Sequence, residues 1–151
     1  MAGDQDHRVT VRPIPAQLTG PLRGDVLRPG QPPEASVYPG DDDLGTVHLG
    51  AYVDGVLVGI ASLYEEDRAG GPSRGWRLRG MATAPADRRR GAGAALLAAA
   101  VEHVVAQGGS ELWCNARMVA VEFYAWAGFT VVSDPFDIPG IGPHVVMRRP
   151  V

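Results

Sequence analysis

Met81-Ala82-Thr83-Ala84-Pro85-Ala86-Asp87-Arg88-Arg89-Arg90-Gly91-Ala92-Gly93-Ala94 begins in an alternating run and ends in an Ala/Leu/Val-rich one. Upstream, Trp76, Leu78 and Gly80 alternate with Arg77, Arg79 and Met81, which predicts a strand over Trp76–Thr83 that Pro85 stops. Downstream, Gly91–Gln107 reads as a helix closed by Gly108-Gly109, and its nearly all-round apolar surface predicts deep burial. The junction therefore sets unpaired backbone N–H groups and the positive end of a helix dipole beside three arginines. Such a place binds phosphate: Gly91 and Gly93 have no Cβ to hold an anion off the amides, and the guanidinium groups of Arg88, Arg89 and Arg90 can pair with further phosphate oxygens. An isolated run of this kind is more often a solvated charge cluster with loop glycines; its place between a strand and a buried helix favours the anion site.

Two familiar phosphate motifs do not fit. A Walker loop needs a Lys after its last Gly, and the chain contains none, all fourteen of its basic residues being Arg. A dinucleotide fingerprint needs a small residue where Leu96 stands and should open a parallel sheet, whereas this motif follows a meander.

That meander is legible outward from the junction. Thr46–Val53 and Val56–Tyr64 are β-rich runs separated by Asp54-Gly55, the pair that type I′ hairpin turns prefer. Before them, Arg8–Arg12 alternates as a short strand that Pro13 and Pro15 should end. Ala16–Arg28 carries Leu18, Leu22, Val26 and Leu27 at helical spacing, with Gly20-Pro21 and Gly24 limiting it to one or two short turns. Pro29–Gly45, with its acidic triplet Asp41-Asp42-Asp43, reads as a long loop, and Met1–His7 as a loose polar lead-in. After the helix, Glu111–Cys114 reads as a strand and Ala116–Ala127 as a helix that sets Val119, Phe123 and Trp126 on one core-facing side. Phe129–Val132 and Val145–Arg149 close the order as a strand pair, giving an α+β fold with a mixed, mostly antiparallel central sheet flanked by helices.

The totals set bounds. With 151 residues, 45% of them hydrophobic, the chain suits one domain, 1–151. It has no run long enough to span a membrane and no apolar signal segment, so a cytoplasmic protein is expected. Cys114 is the only cysteine, which excludes an internal disulfide and a thiolate metal cluster; His48 and His103 lack ligand spacing, so no metal is expected. The formal charge of −3 provides no field for nucleic acid, and no aromatics interleave Arg88–Arg90. Gly71-Pro72-Ser73-Arg74-Gly75 matches the hydrolase pattern G-x-S-x-G but precedes a strand rather than a helix.

Three spaced blocks together resemble the GNAT (GCN5-related N-acetyltransferase) family. Arg88-x-x-Gly91-x-Gly93 is similar to its Q/R-x-x-G-x-G/A acetyl-CoA motif, and Met81-Ala82-Thr83-Ala84-Pro85 to the end of its pantetheine-pairing strand. Asn115-x4-Ala120-x2-Phe123-Tyr124-x3-Gly128-Phe129 is similar to the family's N-x4-A-x2-F-Y-x3-G-F segment. The blocks span Trp76–Phe129, about half the chain. The ending Pro139-Gly140-Ile141-Gly142-Pro143-His144, followed by Met147, is similar to that of ElaA-like members. The resemblance implies direct acetyl transfer from acetyl-CoA to an amine of a small molecule or peptide. Met81, Ala82, Thr83, Arg88, Arg89, Arg90, Gly91, Ala92, Gly93, Ala94, Asn115 and Tyr124 would hold the cofactor, and Tyr124 would serve the departing thiolate.

A phenol near pKa ~10 protonating a thiolate near ~8.5 runs uphill by about 2 kcal/mol, so Tyr124 is better described as a transition-state donor than as a full proton source. Without that context it reads as a core tyrosine beside Phe123, Asn115 as a strand-end turn residue, and Cys114, with no basic partner evident, as a small buried residue. The general base stays open: the strand before the phosphate loop offers Arg77, Arg79 and Gly80 where many members carry a carboxylate. Glu65, Glu66, His144 or water are the candidates. A non-catalytic CoA-binding or sensing module and an Arg-rich nucleic-acid binder are the rival readings; a homodimer stays open.

Overall fold

Thr10–Ile14 forms the first strand, β1, of the computed structural model, which describes residues 8–151; the expected lead-in Met1–His7 lies outside the described residues. The other strands are β2 (Val47–Val53), β3 (Val56–Glu65), β4 (Gly75–Thr83), β5 (Glu111–Arg117), β6 (Thr130–Val131), β7 (Phe136–Ile138) and β8 (Gly142–Pro150). They form one sheet in the order β1-β2-β3-β4-β5-β8-β6, with β7 paired to β8. The β4–β5 pair is parallel, whereas β1–β2, β5–β8, β6–β8 and β7–β8 are antiparallel, the mixed and mostly antiparallel sheet that was expected. The helices are α1 (Gly20–Leu22), α2 (Ala92–Ala106) and α3 (Val121–Trp126). Two compact units divide the chain: one runs to Ser62 and adds Gly80–Ala99, the other is Leu63–Arg79 with Ala100–Val151.

In the first unit, β1 runs through Pro13 to Ile14 rather than stopping before the proline. It is the outermost strand of the sheet order, where a residue without an N–H is tolerated. Ala16–Leu27 is one continuous helical stretch, 3-10 at Ala16–Thr19, α at Gly20–Leu22 and π at Arg23–Leu27, where only one or two short turns were expected. Pro21 falls in the first turn of α1. Leu22, Val26 and Leu27 pack on a core of Ile14, Ile60 and Ala82. The loop to β2 contains a 3-10 turn, Pro33–Ser36. At the β2–β3 connection Asp54 (φ 50°) and Gly55 (φ 78°) both take the left-handed conformation that a type I′ turn demands.

Arg23 is fully buried and clamps the long loop: Nη1 donates to Asp41 Oδ2 at 2.7 Å and to Ser36 O at 3.1 Å, and Nη2 to Asp41 Oδ1 at 3.1 Å and Ser62 Oγ at 2.9 Å. The loop is therefore held by a bidentate ion pair, and the Tyr38 ring lies 3.9 Å from the guanidinium carbon.

In the second unit, the Ser110-bounded strand β5 outruns its expected end. It pairs with β8 from Glu111↔Pro150 to Arg117↔His144, so Ala116 and Arg117 are strand residues rather than the start of a helix. A 3-10 turn at Met118–Ala120 then leads into the short α3. The ladder hydrogen bonds win over the helical pattern. The predicted core face is also corrected: Val119 is 93% and Trp126 76% exposed, while Tyr124 and Phe129 are buried with rings 5.4 Å apart. Strand β7, which no alternation announced, folds back on β8 through a turn containing Gly140 at φ 79°.

Helix α2 is stopped as its glycines predict. Gly109 N–H donates to Val104 O and Gly108 N–H to Val105 O, a Schellman end with Gly108 at φ 73°. A Cβ on Gly109 would lie 2.5 Å from Val104 Cγ1 and 2.8 Å from Trp76 Cδ1, so only glycine allows this approach. Burial along α2 is a stripe, not the whole surface: Ala92, Leu96, Leu97, Ala100 and Val104 are buried, whereas Ala98, Glu102, Val105 and Ala106 are exposed. The outward alanines expose little apolar area each, which is why the composition overstated burial.

Candidate active site

The β4–α2 junction, in the first unit, holds one group of candidate residues. After β4, Pro85–Asp87 makes a 3-10 turn and Arg88 is extended (φ −63°, ψ 150°). Arg89 (φ 69°) and Gly91 (φ 85°) then turn the chain into α2. The first helical bond of this region runs from Ala95 N–H to Gly91 O, so the N–H groups of Ala92, Gly93 and Ala94 precede it and have no acceptor within the helix. Position 91 supplies no capping side chain, and a Cβ placed there meets no atom within 4 Å. Those donors stand at the positive end of a 15-residue helix. Arg88, Arg89 and Arg90 are exposed; Arg90 lies 3.5 Å from Asp87, which leaves Arg88 and Arg89 as the less engaged cations.

On β4 itself, Ala82 is a core side chain packed with Ile14 and Ile60, so any part it plays toward a ligand falls to its backbone. Met81 and Thr83 are half-buried. Gly80, at φ 64°, puts a bend in the strand, and a Cβ there would come within 3.2 Å of Arg23 Nε and Tyr38 Cε2. The Arg23 clamp and the bend in β4 are thereby fitted to one another.

Another group of candidate residues lies in the second unit, in β5, α3 and β8. Tyr124 is buried, edge-on to Phe123 (5.3 Å) and Phe129. Burial, with the neighbouring Cys114 adding to it, pushes its phenol well above the usual range. Burial likewise pushes the Cys114 thiol up to about 12, against the opposing charge of Arg77. A basic neighbour for Cys114 therefore exists, contrary to the sequence reading, yet its charge does not outweigh burial. Asn115 sits inside β5 opposite Val146 rather than at a strand-end turn.

Among the base candidates, Glu66 accepts a 3.3 Å hydrogen bond from Arg77 Nη1, and Glu65 is exposed at the end of β3. His144 is buried, stacked on Phe136, with Nδ1 2.7 Å from Gly142 O. A carbonyl only accepts, so Nδ1 carries the proton and Nε2 the lone pair. His48 is committed elsewhere: Nε2 donates to Asp41 O, so Nδ1 accepts from Ser62 Oγ at 2.6 Å. His103 packs edge-on against Trp76. Sequence reasoning missed the Arg23–Asp41–His48–Ser62 network; a histidine alternating with apolar residues in β2 was its one visible trace.

The family model described as "Acetyltransferase (GNAT) domain" matches residues 41–149, and the chain belongs to that family: it is an acyltransferase of the N-acetyltransferase type. It is 40% identical over 144 residues to the uncharacterized N-acetyltransferase YitI of Bacillus subtilis (strain 168), covering 92% of this chain and 94% of that one. In fold it is similar to Escherichia coli ElaA (TM-score 0.77, 18% identity, 94% of this chain and 99% of that one). It is also similar to an aminoglycoside 6'-N-acetyltransferase solved with coenzyme A (TM-score 0.70, 16% identity, 93% and 96%). No helix among the described residues is long and apolar enough to cross a membrane.

Proposed function

We propose that residues 1–151 act as one catalytic domain that moves an acetyl group from acetyl-CoA directly to the amine of a small molecule or peptide in the cytoplasm. The observation that carries this reading is the β4–α2 junction, where the Ala92, Gly93 and Ala94 amides and the Arg88 and Arg89 side chains offer donors to a pyrophosphate. Met81, Ala82 and Thr83 contribute backbone toward the pantetheine arm, with Asn115 and Arg90 as further polar contacts. The amine nitrogen forms the new C–N bond as the thioester C–S bond breaks, and CoA leaves as the thiol, the proton lost by the amine balancing the one gained by sulfur. Tyr124, held neutral by burial, donates a hydrogen bond to the developing thiolate and stabilises it without ionising.

Thiol release from acetyl-CoA, followed across polyamines, aminoglycosides, amino acids and peptides, tests the reading. Turnover with at least one class supports it. Calorimetric binding of acetyl-CoA with no thiol release from any class would instead identify a cofactor-sensing module, and no binding at all would remove the cofactor assignment.

A further inference from the structure

Arg77 and Trp113 form the last rung of the parallel β4–β5 ladder, which covers only Gly75↔Glu111, Trp76↔Leu112 and Arg77↔Trp113. The Arg77 guanidinium lies over the Trp113 ring at 5.2 Å, and that ring is held by Nε1 donating to Glu66 O at 2.8 Å. The Arg77 side chain is only 19% exposed, so most of it is out of water. Its sole hydrogen bond among the described residues is the 3.3 Å contact from Nη1 to Glu66, a carboxylate that is itself 46% exposed. Nε is enclosed without an acceptor.

This is an unusual state for a guanidinium that is four-fifths removed from water, because buried donors are ordinarily filled. The same unit shows the filled state. Arg68 directs Nε and Nη2 at the two oxygens of Glu111, at 3.0 and 3.3 Å, and Arg148 adds a third bond to that carboxylate. Arg77 has the same fork, but its one carboxylate contact is the single 3.3 Å bond from Nη1 to the half-exposed Glu66. Its charge is felt at Cys114, and Cys114 in turn acts on Tyr124, so the open donors belong to the neighbourhood of the residue assigned to the leaving thiolate.

We propose that Arg77 selects the acceptor: the amine acetylated by this chain carries a carboxylate, as free amino acids do, and that carboxylate docks on the Arg77 guanidinium beside the Trp113 ring. The proposal rests on the acetyl-transfer reading above. A bidentate carboxylate would fill donors that Glu66 leaves open, and the planar fork gives it an orientation that a lysine could not. The same cation disfavours the ammonium form of a nearby amine, which assists an acceptor that meets no carboxylate base on β4.

The experiment compares each amino acid with its carboxamide, using thiol release for kcat/KM and calorimetry for acetyl-CoA affinity. Wild type should favour the carboxylate member at least about tenfold, chiefly through KM. Arg77→Gln should bring that ratio near one while leaving acetyl-CoA affinity unchanged, and Arg77→Lys should restore part of it. Glu66→Gln removes the competing carboxylate and should keep or raise the preference, whereas a mere Arg77–Glu66 brace would lose it. An unchanged ratio in Arg77→Gln, a wild-type preference for carboxamides, or a panel in which no carboxylate-bearing amine binds or turns over would each overturn the proposal. Turnover of other amines in that last case would leave the acetyl-transfer reading standing, while failure to bind acetyl-CoA would strike that reading itself.

Discussion

Replacing Gly91 by alanine separates two effects that are usually confounded. At φ 85° the backbone is in the left-handed region, so the new Cβ strains the folded state by about 1–2 kcal/mol. No atom lies within 4 Å of that Cβ, so the strain is not compounded by a clash. The stability loss should thus stop at about 1–2 kcal/mol, a fall of roughly 2–8 °C in Tm for a chain of this size. A pyrophosphate held by the helix amides would lie beside position 91, and displacing it from even one of them should cost about 1.4 kcal/mol, tenfold in Kd. Pantetheine lacks the pyrophosphate and supplies the control. Calorimetry should show the tenfold loss for CoA and none for pantetheine, measured well below the lowered Tm. A folded Gly91→Ala protein that binds CoA as wild type does, or that loses pantetheine equally, refutes the assignment of this turn to the phosphates; Gly91→Val and Gly93→Val should show at least the same CoA loss.

Tyr124→Phe should lower kcat far more than acetyl-CoA affinity, because the lost donor matters only as charge develops on sulfur; equal turnover with chemistry rate-limiting would contradict this. Asp41→Asn leaves the buried Arg23 charge without its counter-ion and should cost about 3–5 kcal/mol in denaturant unfolding, whereas a loss below 1 kcal/mol would show that water reaches the network. For Glu111, burial raises the pKa but the hydrogen bonds and charges of Arg68 and Arg148 outweigh it and hold it below its ordinary value. The stability it contributes is therefore present above the unfolded-state carboxylate pKa and is lost as pH falls through the lower folded value, and Glu111→Gln should flatten that acid limb of a stability–pH curve. If substrate self-ionisation sets the alkaline rise of kcat/KM, the limb should move with the pKa of the amine supplied; a limb fixed near neutral pH for two amines and absent in His144→Ala would make His144 the base.

The turn residues were the legible part of this fold because their constraint is local. Asp54-Gly55, Pro85, Gly91 and Gly108-Gly109 each demand a backbone state that few other residues adopt, and each marks a boundary within a residue or two of where it falls. Period-two and helical patterns were less reliable where the partner decides. Ala116 and Arg117 belong to a strand only because Val145 and His144 lie opposite them, and Val119 and Trp126 share a helical face that nothing covers within the described residues. Pro13 stays in a strand because β1 is an edge, a fact about the sheet rather than about the residue. At the candidate site, the junction Arg88–Ala94 was visible for the same local reason, whereas the open donors of Arg77 and the Arg23 clamp depend on contacts 11 to 39 residues apart in sequence.

The raised pKa values of Cys114 and Tyr124 also bear on the order of events. A thiol beside the assigned thiolate donor invites a two-step route in which Cys114 first takes the acetyl group. With its pKa pushed up to about 12, forming the Cys114 thiolate at pH 7.5 costs on the order of 6 kcal/mol before any chemistry, a penalty of about 10⁴ in rate. An amine acceptor faces a smaller deficit: a lysine-like amine is about 0.1% neutral at that pH and an α-amine about 30%. Direct attack by the amine is thus favoured by at least one order of magnitude over relay through Cys114, and more for acceptors of low pKa. Tyr124 fits the direct route for the same reason, since a phenol that resists ionisation keeps its proton in place to meet the charge that appears on sulfur and nowhere else in the cycle.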